Sequence, residues 1–284
     1  MEEPGKLDWG QAVRNSYATL YHHFGTYLLI VIAWVAILYT VAQSTFILAP
    51  SIFEAFPALS SFAHDTKVII VAVIITLPVS LVVVSGMITL IVAFHRIVIL
   101  RQRVMTPFPV SAEDILRYAW RLAVLFAPFM LAAAVLITLI YIARPEDPAE
   151  LDAKGIYIVG PILVATVSAA MIFGRLSIVL PATATGATTV TLAQAWRMTR
   201  GNTWAIFWGM TFCAVPFNFV SNLIEKRMDD LPEGSIGTYF AALVAMIIVD
   251  AMGYAVSAAF ISQTYLHFRG DTERMLDDEP MAQP

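Results

Sequence analysis

Charge is scarce in this sequence. Asp, Glu, Lys and Arg together make up 13% of its 284 residues, against 59% apolar residues. A soluble domain carries roughly 25% charge and 45–50% apolar residues. A water-soluble globule of this size could not cover its surface with so few charged side chains. Disorder is excluded by the same figures, because disordered chains are poor in apolar residues and rich in charge. Cysteine is almost absent, and the single Cys213 lies in an apolar run where no internal disulfide can form. The net charge of −4 argues against nucleic acid, which would need a basic face. Catalytic signatures are missing as well. The histidines (His22, His23, His64, His95 and His267) are scattered without metal-ligand spacing. There is no nucleophile elbow, no P-loop and no dinucleotide fingerprint. The residues predict a protein that is not an enzyme and needs no cofactor. An intramembrane hydrolase, whose groups would lie far apart in sequence, is the one catalytic class such a search leaves open.

What is present is long apolar runs. A bilayer core of about 30 Å needs roughly 20 apolar residues in a helix. Six windows qualify, at about 25–48, 68–100, 122–143, 155–174, 204–224 and 236–265. None shows the apolar–polar alternation of a transmembrane barrel. The fold class predicted is an all-α polytopic membrane bundle of six transmembrane helices. The whole chain, 1–284, reads as one integral membrane domain, with 270–284 a short tail. The N-terminus is acidic and lacks the basic start of a signal peptide, so the first span is expected to act as the insertion signal.

Orientation follows from the basic residues. Lys67, Arg144, Lys154, Lys226 and Arg227 fall on one side, and the other 12 of the 17 fall on the opposite side. Both termini and the loops after the second and fourth spans are therefore expected in the cytoplasm of a bacterial inner membrane. The opposite loops are short and acidic, as in Glu146-Asp-Pro-Ala-Glu150 and Asp229-Asp230.

The chain also repeats itself. Ala12-Val13-Arg14 recurs as Ala119-Trp120-Arg121 and Ala195-Trp196-Arg197, each time shortly before an odd-numbered span. A helix-start pair precedes each copy: Asp8 with Gln11, Ser111 with Asp114, Thr191 with Gln194. After the even-numbered spans, Ala93-Phe-His-Arg96 is echoed by Ala259-Phe-Ile-Ser262 and in part by Ile172-Phe-Gly-Arg175. The unit predicted is a capped amphipathic helix, a span out, an acidic turn and a span back, used three times. The amphipathic segments are either interfacial helices or plain extensions of the spans. Units with an even number of spans are parallel in topology, which counts against the commonest inverted-repeat transporters.

The stretch Arg175-Leu-Ser-Ile-Val-Leu-Pro181, followed by Ala195-Trp-Arg-Met-Thr-Arg-Gly201 and Trp204, resembles the best-marked segment of a bacterial six-span family. That family includes the membrane domain attached to some glycerophosphodiester phosphodiesterases, along with free-standing relatives of uncharacterised function. The resemblance spans the chain by helix count, but only about thirty residues carry it. It implies membrane architecture alone, since the phosphodiesterase domain of that family is a separate soluble barrel of about 250 residues.

Asp250 is the sharpest single feature, an acid near the middle of the sixth span. Such a group costs on the order of 2.5–3.5 kcal/mol on insertion scales and usually faces a partner or a cavity. Tyr254 and Ser257 share its helical face, and Asn218, Ser221 and Asn222 lie on the fifth span. Together they form either a proton or cation site or a hydrogen-bonded lock between the two helices. Ala251, Ala255 and Ala259 form an adjacent stripe suited to close packing. Prolines at 78, 128, 161 and 216 fall inside apolar runs, where they mark either kinked binding sites or ordinary packing. Arg96, Arg121, Arg175, Arg197 and Arg200 form a candidate set of anionic-lipid contacts, or simply obey the positive-inside rule. The function expected is an integral membrane component that interacts with lipid or with protein, whether another membrane protein or a second copy. A small transporter or channel using Asp250 is the alternative.

Overall fold

The computed structural model describes residues 5–55, 64–102, 104, 106–142, 148–186, 190–230, 232 and 236–277. The described residues form nine helices and no strand: α1 (Trp9–His22), α2 (Phe24–Ala55), α3 (His64–Leu100), α4 (Ala112–Ile142), α5 (Pro148–Leu176), α6 (Val179–Ala184), α7 (Leu192–Met198), α8 (Thr203–Asp229) and α9 (Ile236–Asp277). Six of them are long and apolar enough to cross a bilayer. The chain is a multi-pass integral membrane protein with an all-α fold. The helices overrun the apolar windows, because helix length is set by backbone hydrogen bonding and hydropathy only marks the part that sits in lipid. Thus α9 runs on to Asp277, into the segment read as a tail, and 278–284 lie outside the described residues. Of the acidic stretch 146–150, residues 146 and 147 lie outside the described residues, and Pro148–Glu150 form the start of α5 rather than a loop. The four intraspan prolines interrupt none of the helices that contain them.

The end of the bundle that carries α1 and α7 is called basal here, and the opposite end distal. All three helix-start pairs are realised at the basal end. The Asp8 carboxylate accepts from the Gln11 N–H at 2.9 Å, and Ser111 Oγ accepts from the Asp114 N–H at 3.2 Å. Thr191 and Gln194 complete a reciprocal capping box, at 3.2 and 2.7 Å. Each cap satisfies donors that a helix start leaves free.

The three units share their caps but differ beyond them. In the first and third, the amphipathic segment is a separate helix, α1 or α7, set off from its span. In the second it is the first turns of the span itself, continuous through α4. The sequence explains the difference between the third unit and the second. A Thr-Arg-Gly-Asn turn with Gly201 at φ +80° ends α7, a conformation open to glycine at little cost. Nothing comparable separates Ala112 from Leu122, so the helix propagates. Within the units, α2 packs along α3 and α8 along α9, whereas α4 and α5 touch only slightly.

The core lies in the basal half. α9 is its hub, packed against α8, α3, α1, α2 and α6, and the ends of the even-numbered spans (α3, α6, α9) meet one another there. Ala93 and Phe94 on α3 and Ala259 and Phe260 on α9 occupy matching places in the repeat, and all four are fully buried. The distal half is splayed. Leu77 and Leu81 of α3, Met130 and Ile137 of α4 and Leu163 of α5 are exposed, and only 6% of the apolar window of α4 is buried. Apolar surface on this scale needs a hydrocarbon solvent. Trp9, Trp120, Trp196, Trp204 and Trp208, all at the basal end, are exposed, and Trp9 stacks on Phe212 at 5.4 Å. Such a belt belongs at a headgroup boundary.

Candidate functional site

Asp250 sits half-buried at the contact between α8 and α9. The Ser221 hydroxyl donates to its Oδ1 at 2.5 Å, from a residue that is itself buried. The neighbouring contacts are steric. Gly253 lies against Phe217, so that a Cβ there would be 3.2 Å from the phenylalanine's own, and Ala251, Ala255 and Ala259 are all buried. Tyr254 lies one turn from Asp250 with its side chain 43% exposed, and Ser257 is half-buried. Asn218 and Asn222 face outward from α8, and no hydrogen bond among the described residues joins either to Asp250. The polar set thus contracts to a pair, Asp250 with Ser221.

The arginines divide into two groups. Arg96 donates through Nε to the Ala184 carbonyl at 2.9 Å and pairs with Asp114 at 2.8 Å. Arg175 donates through Nε to Thr199 Oγ1 at 3.0 Å and through Nη2 to the Trp196 carbonyl at 2.5 Å, with its guanidinium 3.5 Å above the Trp196 ring. Both arginines end an even-numbered span, and both grip the first turns of the next unit. A planar five-donor group suits this task, since it stacks and forks at once. By contrast, Arg121, Arg197 and Arg200 are exposed and make no ion pair among the described residues. They stand at the level of the tryptophan belt.

These contacts give the Arg175–Gly201 segment a physical role. Ala195 and Thr199 are completely buried, because α7 is drawn down onto the end of α5. Gly201 then turns the chain so that Asn202, 4% exposed, reaches the N-terminal strap. Its Oδ1 accepts from the Leu7 N–H at 2.9 Å, and its Nδ2 donates to the Gly5 carbonyl at 3.3 Å. The third unit thereby holds the start of the first. Tyr17 of α1 adds a second tie, donating to the Phe212 carbonyl at 3.0 Å. Burial there pushes its phenol above the ordinary tyrosine value, and nearby Cys213 acts in the same direction.

Sequence reasoning passed over His95 and Asn202. His95 is fully buried between α3, α4 and α9, with Nδ1 2.6 Å from Ser262 Oγ and Nε2 3.1 Å from the Tyr118 hydroxyl. Because Ser262 spends its proton on the Ala258 carbonyl at 2.8 Å, its oxygen must accept from Nδ1–H. Nε2 is paired with the Tyr118 hydroxyl. Both ring nitrogens have partners, and the histidine joins three helices. Its only sequence signal was the Ala-Phe-His-Arg echo at the end of the second span.

Two crevices described in the embedded half have mostly apolar linings. One crevice runs between α2, α3 and α9, lined by Ile30, Trp34, Leu38, Val83, Met87 and Ala251 among others. A second lies between α8 and α9, bordered by Leu223, Ile224 and Ala242, with Arg227 and Thr238 at its edge. Neither includes Asp250. Among the described residues no three His, Cys, Asp or Glu side chains sit where they could hold a metal. No family model, curated protein or solved structure matches the chain. Its site must therefore be read from its own geometry.

Proposed function

We propose that this protein is a non-enzymatic component of a bacterial inner membrane that binds anionic lipid at its basal, cytoplasmic face. It belongs by this reading with the free-standing six-span relatives of the phosphodiesterase membrane domain. The observation that carries the reading is the setting of Asp250 among the described residues, held against Ser221 and away from both described crevices. The acid at mid-membrane is half-buried and accepts from Ser221 through Oδ1 between two packed helices, and the two crevices described in the embedded half have mostly apolar linings that leave it out. A transport pathway needs the reverse, polar groups facing a water-filled passage. Arg121, Arg197 and Arg200, exposed beside the tryptophan belt, supply cations at headgroup depth. Each basic residue near an anionic surface contributes about 1 kcal/mol of attraction.

Two measurements test this together. Purified protein reconstituted in vesicles, wild type and Asp250→Asn, is assayed for proton and cation flux, while cysteines placed beside Asp250 are probed with a water-soluble maleimide. No flux above empty vesicles and no labelling are expected. Flux that Asp250→Asn abolishes, with labelling at those positions, would replace lipid binding with a channel or transporter. Retained anionic lipid, counted by native mass spectrometry, should fall in the Arg121→Gln/Arg197→Gln/Arg200→Gln variant.

A further inference from the structure

Asn218 and Asn222 take no part in the Asp250 pair, and their setting is costly for a span. Both face outward from α8, and neither carboxamide has a partner among the described residues. No Asp, Glu, Lys or Arg lies between Arg200 and Glu225, so Glu225 marks the distal end of the apolar part of α8. At 1.5 Å per residue, Asn218 stands about 10 Å inside that end and Asn222 about 5 Å. The two bracket Ser221, the partner of Asp250, and so lie at the depth of the acid. A carboxamide turned toward lipid tails loses the hydrogen bonds that water would give it, and polar side chains at this depth belong between helices. The two also complete a pattern. Trp204, Trp208, Thr211, Val215, Asn218 and Asn222 follow one another at alternating steps of four and three residues, the 3.5-residue repeat of a helix seam. All are exposed except the half-buried Thr211, whereas Ile206, Gly209 and Cys213 on the opposite side of α8 are buried in the bundle.

We propose that this stripe is the seam of a dimer, in which α8 packs along α8 of a second copy and Asn218 and Asn222 hydrogen-bond across it. A carboxamide carries both N–H donors and a carbonyl acceptor, so it is complementary to itself. Copies of one chain insert with one orientation, and a two-fold axis along the membrane normal then sets each seam residue level with its own counterpart. Asn218 meets Asn218 and Asn222 meets Asn222, as single asparagines do in the seam of parallel coiled coils, where they also fix register. A partner of different sequence would have to offer a matching polar group at both depths, and lipid tails offer none. The approach is open, since α1 covers only the flank of the stripe, where Trp9 stacks on Phe212. Thr211 brings no unmet donor to the seam, because its hydroxyl donates to the Phe207 carbonyl at 2.8 Å. The dimer goes beyond the lipid-binding reading and uses none of Arg121, Arg197 and Arg200.

The test uses the full chain in vesicles of phosphatidylethanolamine and phosphatidylglycerol, with donor and acceptor dyes on a cysteine added at the C-terminus. Energy transfer between copies is followed as the protein is diluted in lipid. Transfer that saturates with density is expected, and Asn218→Leu/Asn222→Leu should need about tenfold more protein per lipid to reach the same value. Leucine suits a lipid-facing position better than asparagine, so the variant keeps its fold. Cys213, buried in the bundle, should stay closed to the dye in both proteins, which reports that fold. In a second measurement, Val215→Cys should give disulfide-linked dimers under copper phenanthroline and air, whereas Leu131→Cys, exposed on α4, should not. Wild-type transfer no greater than random proximity produces, or transfer unchanged in the double variant, overturns the dimer. Crosslinking at Leu131 but not at Val215 overturns the seam. A photoreactive residue in place of Phe219 that captures only a different protein in native membranes overturns the second copy as the occupant.

Discussion

Gly209 gives the sharpest test of the packing around α9. It sits on α8 directly beneath the Phe260 ring, and a Cβ built there would stand 2.9 Å from Cε1, with Cζ and Cε2 nearer still. Ordinary contact at such a carbon begins near 3.4 Å. The ring cannot swing aside, since Phe260 is fully buried at the hub of the bundle. Gly209→Ala must therefore push α8 and α9 apart or force the ring off its rotamer. Overpacking of this kind costs about 1–3 kcal/mol. That corresponds to roughly a 5- to 150-fold rise in the population of opened molecules. Cys213 reads this out, because it is the only cysteine, is buried, and lies one turn along the same helix. When reclosing outpaces reaction, its labelling rate by a maleimide tracks the opening equilibrium. The rate should rise by that factor in Gly209→Ala. Gly160→Ala, where a Cβ meets nothing within 4 Å, should leave it unchanged. Trimming the ring should rescue, so that Gly209→Ala/Phe260→Leu loses less than the two single changes combined. Wild-type labelling in Gly209→Ala, or strict additivity in the double variant, would refute the contact.

Arg175→Lys keeps the charge but loses both the fork to Thr199 and Trp196 and the stacking on the indole. It should destabilise the basal end by about 1–2 kcal/mol and leave Trp196 fluorescence more accessible to a water-soluble quencher; unaltered quenching would speak against the clamp. Ser262→Ala removes the acceptor of His95 Nδ1–H in a fully buried site. A loss of about 1–3 kcal/mol is expected in denaturant titration, and an unchanged midpoint would show that the histidine finds another partner.

A good deal of this molecule was legible in its residues, because bilayer physics is one-dimensional. The length of an apolar run, the side on which arginine collects and the pairing of Thr191 with Gln194 are local properties, and a helix in lipid has few alternatives. Six spans, the all-α class and the three capped helix starts follow from them. The ambiguity over the amphipathic segments was also local in origin: in the third unit the turn at Gly201 ends the helix, and in the second no breaker follows the segment.

Contacts between helices are another matter, because facing residues such as Ser221 and Asp250 come from separate spans and no periodicity says which faces meet. Only the tertiary structure divided the arginines, turning Arg96 and Arg175 inward to partners brought from the next unit while leaving Arg121, Arg197 and Arg200 exposed. It also set Asp250 apart from the two described apolar crevices and drew His95, Tyr118 and Ser262 into one junction. The scarce charge announced a membrane protein from composition alone. What each charge does depended on long-range packing, since the free energy of a buried polar group is decided by the partner that reaches it.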